Sequence, residues 1–442
     1  MEKRKKFRSR YLAIFFPALI AMIAYMDRSN IAVAGAQIMS EFHITLVEFG
    51  VISSIFFWTY TAMQIPGGIM SERYGPRKTL TGAFGWWSTF TLLTAAGFSY
   101  ISFLIIRGLF GLGETPMYPS SGNLYSRWLK KNEMSIANAW LYTGTWLGPL
   151  FSTVLSTWIM IMWGWRWIFI IYGIIGFIVA IGYYAVMRDM PEESKYVSKE
   201  EIEDINATYA KPEIERGKTI KKWAPWKKLL KNGRFWAFGF THGAADLMVY
   251  ALLTMLPLYL LDARHIKLSA MPAFGVVPWI AGIIGVLFFG YYLDSRIKRG
   301  TTLRSTYAIP AGTGLVIGVF LFLLGGWVVS AVTSIVLIAL AMFAISPHEI
   351  TSFSIEARMG HEYSGTYSGW LNFWGNLFGS FSPLLISVIA ATVSWTAAIM
   401  TLGVMIIILG SLWFVVNPDK SFAPEMIPSY IPMKMVMKEG GD

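Results

Sequence analysis

Four ionisable side chains stand where a membrane-buried segment should carry none. Asp27 and Arg28 lie side by side in the apolar run YLAIFFPALIAMIAYMDRSNIAVAGA, and Arg107 and Glu114 bracket RGLFGLGE in another. A charge at the centre of a membrane helix costs about 2.5–3.5 kcal/mol on insertion scales, so such residues are candidates for function. Neighbouring helical positions point about 100° apart, which lets Asp27 and Arg28 serve different partners. Arg28 can fork a substrate carboxylate, while Asp27 can face the segment that carries Arg107. The plainer alternative is a structural ion pair between the two neighbours. Arg107 and Glu114 are seven residues apart, hence on one helical face and roughly 10 Å apart along the axis. Arg107 can neutralise Asp27 in one state. Glu114, just before Pro116, can carry a proton near neutral pH as a carboxylate in a low-dielectric site, or can be merely structural.

A second tier of polar residues has helical spacing. Tyr60 and Gln64 are i and i+4 ahead of Pro66, and Asn372 and Asn376 are i and i+4 in another apolar run. Hydroxyl and amide groups on one face suit a polyhydroxylated ligand. Gln64 could instead be packed, and asparagine also bonds helix to helix in membranes. His242, Asp246 and Tyr250, at spacing four and four, form one stripe, which could be a further proton site, a substrate contact or a structural pair. Glu349 has no assigned role, and Glu356, near Arg358, reads as a salt bridge at a helix end.

The elements that must position these groups are transmembrane helices. The 442 residues are 55% hydrophobic and only 14% charged, against roughly 25% charged in soluble chains. Spans are expected near 11–35, 47–70, 79–97, 100–122, 134–159, 166–187, 234–260, 270–293, 304–325, 330–353, 363–391 and 394–416. The expected fold is therefore an all-α polytopic membrane protein, with twelve transmembrane helices in two pseudo-symmetric six-helix bundles. The bundles take residues 1–187 and 234–417, with a polar linker at 188–233 and a tail at 418–442. The first span is too long, and lacks a cleavage site, for a removable signal peptide. Of 37 Lys and Arg, 32 fall in the N-terminus, the linker, the tail and every second loop. By the positive-inside rule both termini are cytoplasmic, and the +11 net charge reflects topology rather than nucleic-acid binding. KKWAPWKKLLK at 221–231 can lie on the anionic leaflet as an interfacial helix or act as a solvated linker.

The loop after span 2, GIMSERYGPRK, has an analogue after span 8, GYYLDSRIKRG. Each has a Gly, an acidic residue four later and a basic cluster: Gly68, Glu72 and Arg73, then Gly290, Asp294 and Arg296. Internal symmetry of this kind is a mark of alternating-access carriers, and the loops read as a cytoplasmic gate. There is no cysteine, so no thiol chemistry, and the five histidines have no metal-ligand spacing. No Walker A motif occurs, and GLFGLGE, inside a helix with no strand before it, reads as small-residue packing. No metal, no cofactor and no enzyme activity are expected.

The motifs G-x-x-x-E-R-x-G-x-R-K, R-x-x-x-G at Arg107–Gly111 and GWRWIF at 164–169 resemble the major facilitator superfamily. YMDRSNIAVA (25–34), W-x-Y-x-x-x-QIPGG (58–68), RGLFGLGE and SGWLNFWGN (368–376) resemble its anion:cation symporter branch, which holds proton-coupled sugar-acid, sialic-acid and vesicular glutamate carriers. The resemblance covers nearly the whole chain and is weakest in the linker and tail. It implies Asp27 and Glu114 as proton sites, Arg107 as the cation switching between them, and Arg28 as the anion anchor. It also implies Tyr60 and Asn372 as substrate contacts. Where sugar-acid members carry an amide in span 5, this chain has Thr145 before Trp146, which opens the choice of anion.

The function expected is import of a sugar acid or similar organic monocarboxylate with protons, by alternating access, across the plasma membrane (the inner membrane in a bacterium). The protein would act as a monomer whose partners are the small anion, protons and the bilayer. The rivals are anion exchange of organophosphates or dicarboxylates, a drug/proton antiporter, and a receptor without flux.

Overall fold

Nearly every expected span is found as a helix or a pair of helices in the computed structural model, which describes residues 9–130, 133–207, 226–360, 364–420 and 422. The N-terminal helices are α1 (Leu12–Phe42), α2 (Leu46–Ala62), α3 (Gln64–Tyr74), α4 (Pro76–Thr94), α5 (Tyr100–Glu114), α6 (Met117–Trp128), α7 (Met134–Trp163) and α8 (Trp165–Val186). A short helix α9 (Lys199–Asn206) follows. The later helices are α10 (Gly233–Leu258), α11 (Val277–Lys298), α12 (Ile309–Trp327), α13 (Ala331–Gly360), α14 (Ser364–Thr392) and α15 (Trp395–Ser411). Nine helices among the described residues are long and apolar enough to cross a bilayer. The exceptions correspond to spans 2, 3 and 4. Span 3, α4, opens on the basic residues Arg77 and Lys78, and spans 2 and 4 are each broken into two helices.

The breaks have a covalent cause. Pro66 cannot donate to the Ala62 carbonyl, nor Pro116 to that of Leu112, and each ring crowds the preceding turn. The chain therefore divides at Met63 and at Thr115–Pro116. Thr115 mends part of the damage: its hydroxyl donates to the Gly111 carbonyl of its own helix and to the Tyr60 carbonyl beside the other break, both at 3.2 Å. Hydroxyl repair of this kind is what makes interrupted helices tolerable in lipid. The two breaks touch, since a side chain at Gly67 would fall 3.1–3.3 Å from Thr115 and Pro116.

Contacts gather the chain into two compact units, Met1–Ile38 with Trp58–Lys221, and Met39–Phe57 with Lys222–Asp442. The first part of α2 thus packs with the second unit, where a Cβ on Gly50 would collide with Ser387. In the first unit, Gly144 and Gly148 bring α7 onto α1. A Cβ at Gly148 would stand 2.6 Å from the Met22 carbonyl and 2.5 Å from Tyr25 Cβ. In the second unit the device is reciprocal: Gly239 and Gly243 of α10 receive Trp370, Trp374 and Phe378 of α14, while Gly375 and Gly379 of α14 receive His242, Asp246 and Tyr250. Small-residue pairs at spacing four are the usual route to close approach of membrane helices. At Gly164, φ of +90° lets α7 turn directly into α8.

The segment at 188–233 is not wholly a linker. Ser198 caps α9 by accepting from the Glu201 amide at 3.2 Å. That helix is pinned to the chain's start, because Glu201 accepts from the amides of Ser9 and Arg10 at 3.2 and 3.0 Å. The buried Arg10 guanidinium bonds Glu133 at 2.7 Å and Asp204 at 2.9 Å, and Lys130 pairs with Asp204. Of the 221–231 stretch, Trp226–Leu229 forms one helical turn; residues 221–225 lie outside the described residues, as do 423–442 of the expected tail.

This packing can be tested at two points. Gly148→Val lowers the melting midpoint of the purified protein in detergent, at a cost of about 1–3 kcal/mol for overpacking, whereas Gly182→Ala, with open space around it, leaves it in place. The Lys130 ammonium, then the Arg10 guanidinium, hold the Asp204 carboxyl down to about 2, below the free value of about 3.9. A depressed carboxyl contributes stability that is complete above its unfolded value and is lost as pH falls through its folded one. Rate-corrected hydrogen exchange over 199–206 will therefore be flat from roughly pH 5 to 8, and faster throughout that range in Asp204→Asn.

Candidate functional site

The charges read from the sequence gather in the first unit. Asp27, Arg28, Arg107 and Glu114 are all buried. The pairing, however, is not between sequence neighbours. Arg28 Nε donates to Glu114 Oε1 at 2.7 Å, while Arg107 Nη1 donates to the Asp27 backbone carbonyl at 3.4 Å. The Asp27 carboxylate accepts from Asn30 Nδ2 at 3.5 Å and lies within the electrostatic reach of Arg107 and Glu114. So α1 presents its two charges to different parts of α5, along the face that carries both Arg107 and Glu114.

Aromatic rings complete the seat of Arg28. Its guanidinium lies 4.4 Å from the Tyr25 ring centre and 4.7 Å from that of Tyr60. A planar cation lying over ring faces keeps its edge N–H groups available to in-plane acceptors. Tyr25 is itself tied to Tyr118 through their hydroxyls at 3.1 Å, and Gln64 reaches the Tyr60 hydroxyl. Arg107 rests 4.6 Å from the Phe110 ring centre. Thr145 is buried, its hydroxyl donating to the Tyr142 carbonyl at 2.7 Å, beside Trp146.

The second unit gathers the other stripe. Tyr250 donates to Asn376 Oδ1 at 2.8 Å, and Asn376 Nδ2 donates to the Asn372 carbonyl at 2.8 Å. Asn376 thereby spends both ends of its amide on α10 and α14, the helix-to-helix use of asparagine. Phe57 stacks on Tyr250 with centres 4.2 Å apart. His242 meets His348, Nδ1 to Nε2, at 3.3 Å, and Glu349 lies within the electrostatic reach of His242 and Asp246. His348 was not singled out from the sequence, although the dipeptide His348–Glu349 inside an apolar run was a visible signal. No group of three or more metal-ligating side chains occurs among the described residues.

The two loops read as a gate contain a repeat that the sequence comparison missed. At the start of α4, Asp189 accepts from the Arg77 amide at 2.9 Å, and the Arg77 side chain donates to the Tyr184 carbonyl at 3.0 and 2.6 Å. At the turn leading into α12, Asp419 accepts from the Leu303 and Arg304 amides at 2.7 and 3.1 Å, and Arg304 donates to the Phe414 carbonyl at 3.2 Å. Each carboxylate caps a helix start, where unpaired amides and the helix dipole favour an anion. Each arginine grips a carbonyl five residues before that carboxylate. The signal was an Asp shortly after span 6 and again after span 12. Of the named gate residues, Gly68 has open space around it, Arg73 lies 5.6 Å from the Tyr74 ring centre, and Arg296 donates to the Tyr292 hydroxyl at 3.1 Å. The side chains of Glu72, Asp294, Glu356 and Arg358 lie outside the described residues.

Comparison with known proteins gives one consistent picture. The family model described as Major Facilitator Superfamily matches residues 18–383. The chain is 29% identical over 416 residues to a D-galactonate transporter of Escherichia coli O6:H1, covering 92% of this chain and 95% of that one. It is 26% identical over 416 residues to a probable sulfoacetate transporter of Cupriavidus necator, covering 94% and 95%. A hexuronate transporter of Bacillus subtilis is 28% identical over 377 residues, covering 84% and 86%. Among solved structures, a bacterial homolog of the human lysosomal transporter Spinster superposes with a TM-score of 0.76 at 15% identity, over 93% of this chain and 97% of that one; the likeness shows the fold.

The shared role of Thr115 at both helix breaks is testable by itself. Thr115→Val keeps the shape but removes the donor, leaving buried carbonyls of Tyr60 and Gly111 short of a bond. A loss of about 1–3 kcal/mol is expected for an unsatisfied buried group, read as a lower thermal midpoint, with Thr115→Ser restoring most of it.

Proposed function

This chain belongs to the Major Facilitator Superfamily and is a membrane transporter, and we propose that it imports a small organic anion, a sugar acid or similar monocarboxylate, together with protons. One observation carries the reading: a buried guanidinium, seated between two tyrosine rings, already holds a carboxylate, that of Glu114, at 2.7 Å. A site that binds one carboxylate in this geometry can bind another once the first is neutralised. A proton on Glu114 removes its charge and releases Arg28 to a substrate anion, which couples proton uptake to anion uptake. Arg107, bonded to the Asp27 backbone carbonyl, acts on the Asp27 carboxylate only electrostatically. The names of the relatives, D-galactonate, sulfoacetate and hexuronate, are all of small organic anions, and support this substrate class.

In the first unit Tyr60, Gln64 and Thr145, and in the second Asn372 and Tyr250, the latter held by Asn376, carry hydroxyl and amide groups of the kind a polyhydroxylated substrate needs. Access alternates between the two sides of the membrane. The loops carrying Gly68, Glu72 and Arg73 and then Asp294 and Arg296 act as the gate on the basic side, which the excess of Lys and Arg supports as the cytoplasmic one. Proton is the coupling ion, and the working unit is a monomer.

The test uses protein reconstituted into vesicles that enclose pyranine. Galactonate, glucuronate, glucarate, sulfoacetate or lactate is added outside, one at a time. Acidification of the lumen by a monocarboxylate is expected, absent in Glu114→Gln. In Arg28→Lys, which loses the fork and its in-plane donors, the half-saturating concentration should rise about tenfold, the equivalent of one charge-assisted bond. Uptake of labelled anion with no change in lumen pH would replace symport by exchange, and no uptake of any of these anions would remove the substrate class.

A further inference from the structure

The end of the central linker is seated on the second unit by aromatic rings. Trp226 opens the single helical turn Trp226–Leu229. Its ring centre lies 6.4 Å from that of Phe235 on α10 and 6.2 Å from that of Trp370 on α14. Phe235 and Trp370 stack on one another at 4.8 Å, and Trp370 Nε1 donates to the Phe235 carbonyl at 2.9 Å. Trp236 Nε1 reaches back to the Leu230 carbonyl at 2.9 Å. Asn232 works in two directions: its Oδ1 accepts from the Arg234 amide at 3.0 Å, which caps α10, and its Nδ2 donates to the Phe422 carbonyl at 2.8 Å. Leu229 is buried under the turn. Residues 226–232 therefore form a fixed ledge at the start of α10.

The ledge shows two kinds of group to its surroundings. Lys227, Lys228 and Lys231 are exposed. So are two large apolar side chains, Trp226 at 37% and Leu230 at 42%. Arg234 follows in the first turn of α10, and the sequence has no acidic residue between Glu215 and Asp246, so the positive charge is not offset along the chain. Exposed indole and leucine are unfavourable in water, and ammonium groups are unfavourable in hydrocarbon. The layer between suits both, because lysine stems and indole rings rest at the acyl boundary while the charged heads meet phosphate.

Helix length puts the ledge at that layer. The helical segment from Gly233 to Ala263 has 31 residues, roughly 46 Å at about 1.5 Å per residue. The hydrocarbon core is about 30 Å thick, so the segment overhangs it by several residues. A guanidinium on Arg234 keeps the first turn of α10 out of the hydrocarbon. The ledge just before that turn stands among headgroups, on the side of the membrane that carries most of the Lys and Arg. The anions at that depth are lipid phosphates. A soluble phosphate would use the lysines but would leave Trp226 and Leu230 uncovered.

We propose that residues 226–234 form a binding site for an anionic phospholipid. Its phosphate lies among Lys227, Lys231 and Arg234, and its acyl region packs on Trp226 and Leu230. A zwitterionic lipid fits less well, because its own cation cancels the attraction. The site is separate from Arg28 and independent of the substrate reading. It ties the point where the linker joins the second unit to the bilayer surface, and so fixes the height of α10, the helix that carries Tyr250.

The test places the protein in nanodiscs of phosphatidylcholine with a trace of phosphatidylglycerol or phosphatidylcholine spin-labelled near the chain end. Electron paramagnetic resonance reads the motionally restricted fraction of each label. The wild type is expected to restrict phosphatidylglycerol in preference to phosphatidylcholine. A lysine close to an anionic surface is worth about a fivefold factor in association, so in Lys227→Gln/Lys231→Gln the preference should fall by about fivefold or more. The charge-matched variant Lys195→Gln/Lys199→Gln, exposed positions of the first unit, should keep it. Trp226→Ala, which removes the ring that seats the ledge, should lower the preference with every lysine in place, and Trp226→Phe should restore it. Size-exclusion profiles establish that each variant is folded. No preference in the wild type, no loss in Lys227→Gln/Lys231→Gln, or an equal loss in the charge-matched variant overturns the site. An unmoved preference in Trp226→Ala overturns the aromatic seat. Glycerol phosphate in solution, at constant ionic strength, should leave the label in place; displacement would overturn the lipid as occupant.

Discussion

A guanidinium inside a membrane helix is tolerable only if its charge is met at once, and the Arg28–Glu114 pair meets it. Breaking such a pair one-sidedly costs far more than the pair itself gives, so the surrounding helices are held to its geometry. α1 must lie flat on α7, which Gly144 and Gly148 allow. The broken α2–α3 and α5–α6 segments must meet at Gly67 and Thr115, which brings Tyr60 against Arg28 from one side and Glu114 from the other. Proline supplies the breaks, threonine repairs them, and Glu114 of the ion pair immediately precedes one of them. The interruption of spans 2 and 4 is thus a condition of the site.

A strong pair is also the natural object of a switch. An ion pair that is buried and well aligned exists only while both members are charged, and a single proton on the acid converts it to an uncompensated cation. That cation then needs another anion. In the proposed cycle the Glu114 carboxylate and the substrate carboxylate compete for Arg28, and a proton on Glu114 decides for the substrate. The aromatic seat matters here, because stacking holds the guanidinium plane in place while its partner changes.

Much of this was legible in the sequence, and what was not has physical reasons. Charged residues in apolar runs stand out against composition, so Asp27, Arg28, Arg107 and Glu114 could be named, along with the spans that carry them. Their pairing could not. Helical spacing places residues on a face but does not say which face of another helix it meets, and the ion pair of Arg28 with Glu114 rather than with Asp27 is a tertiary fact. The caps at Asp189 and Asp419 look like ordinary loop carboxylates, because a capped helix start lies far away in sequence. Arg10 sits in a basic run that counts only toward topology in the sequence, yet its guanidinium is buried between Glu133 and Asp204. Glu201 and Asp204 were written off with a polar linker, whose composition hid a docked helix.

The two units solve the problem of buried polarity in different ways. Among the described residues every fully buried guanidinium, of Arg10, Arg28 and Arg107, belongs to the first unit. The second unit buries His242 and His348 instead. A guanidinium cannot give up its proton and so must be matched by an anion. A neutral imidazole asks only for one donor and one acceptor, which a tryptophan and a second histidine provide. Fixed positive charge therefore belongs to the unit proposed to grip an anion, and hydrogen-bonded imidazoles to the other. The repeated caps at Asp189 and Asp419 show how closely the helix ends of the two units echo one another. The divergence of their interiors is then a difference of chemistry laid on a common frame, since the caps constrain only the ends while the interior positions are free to differ.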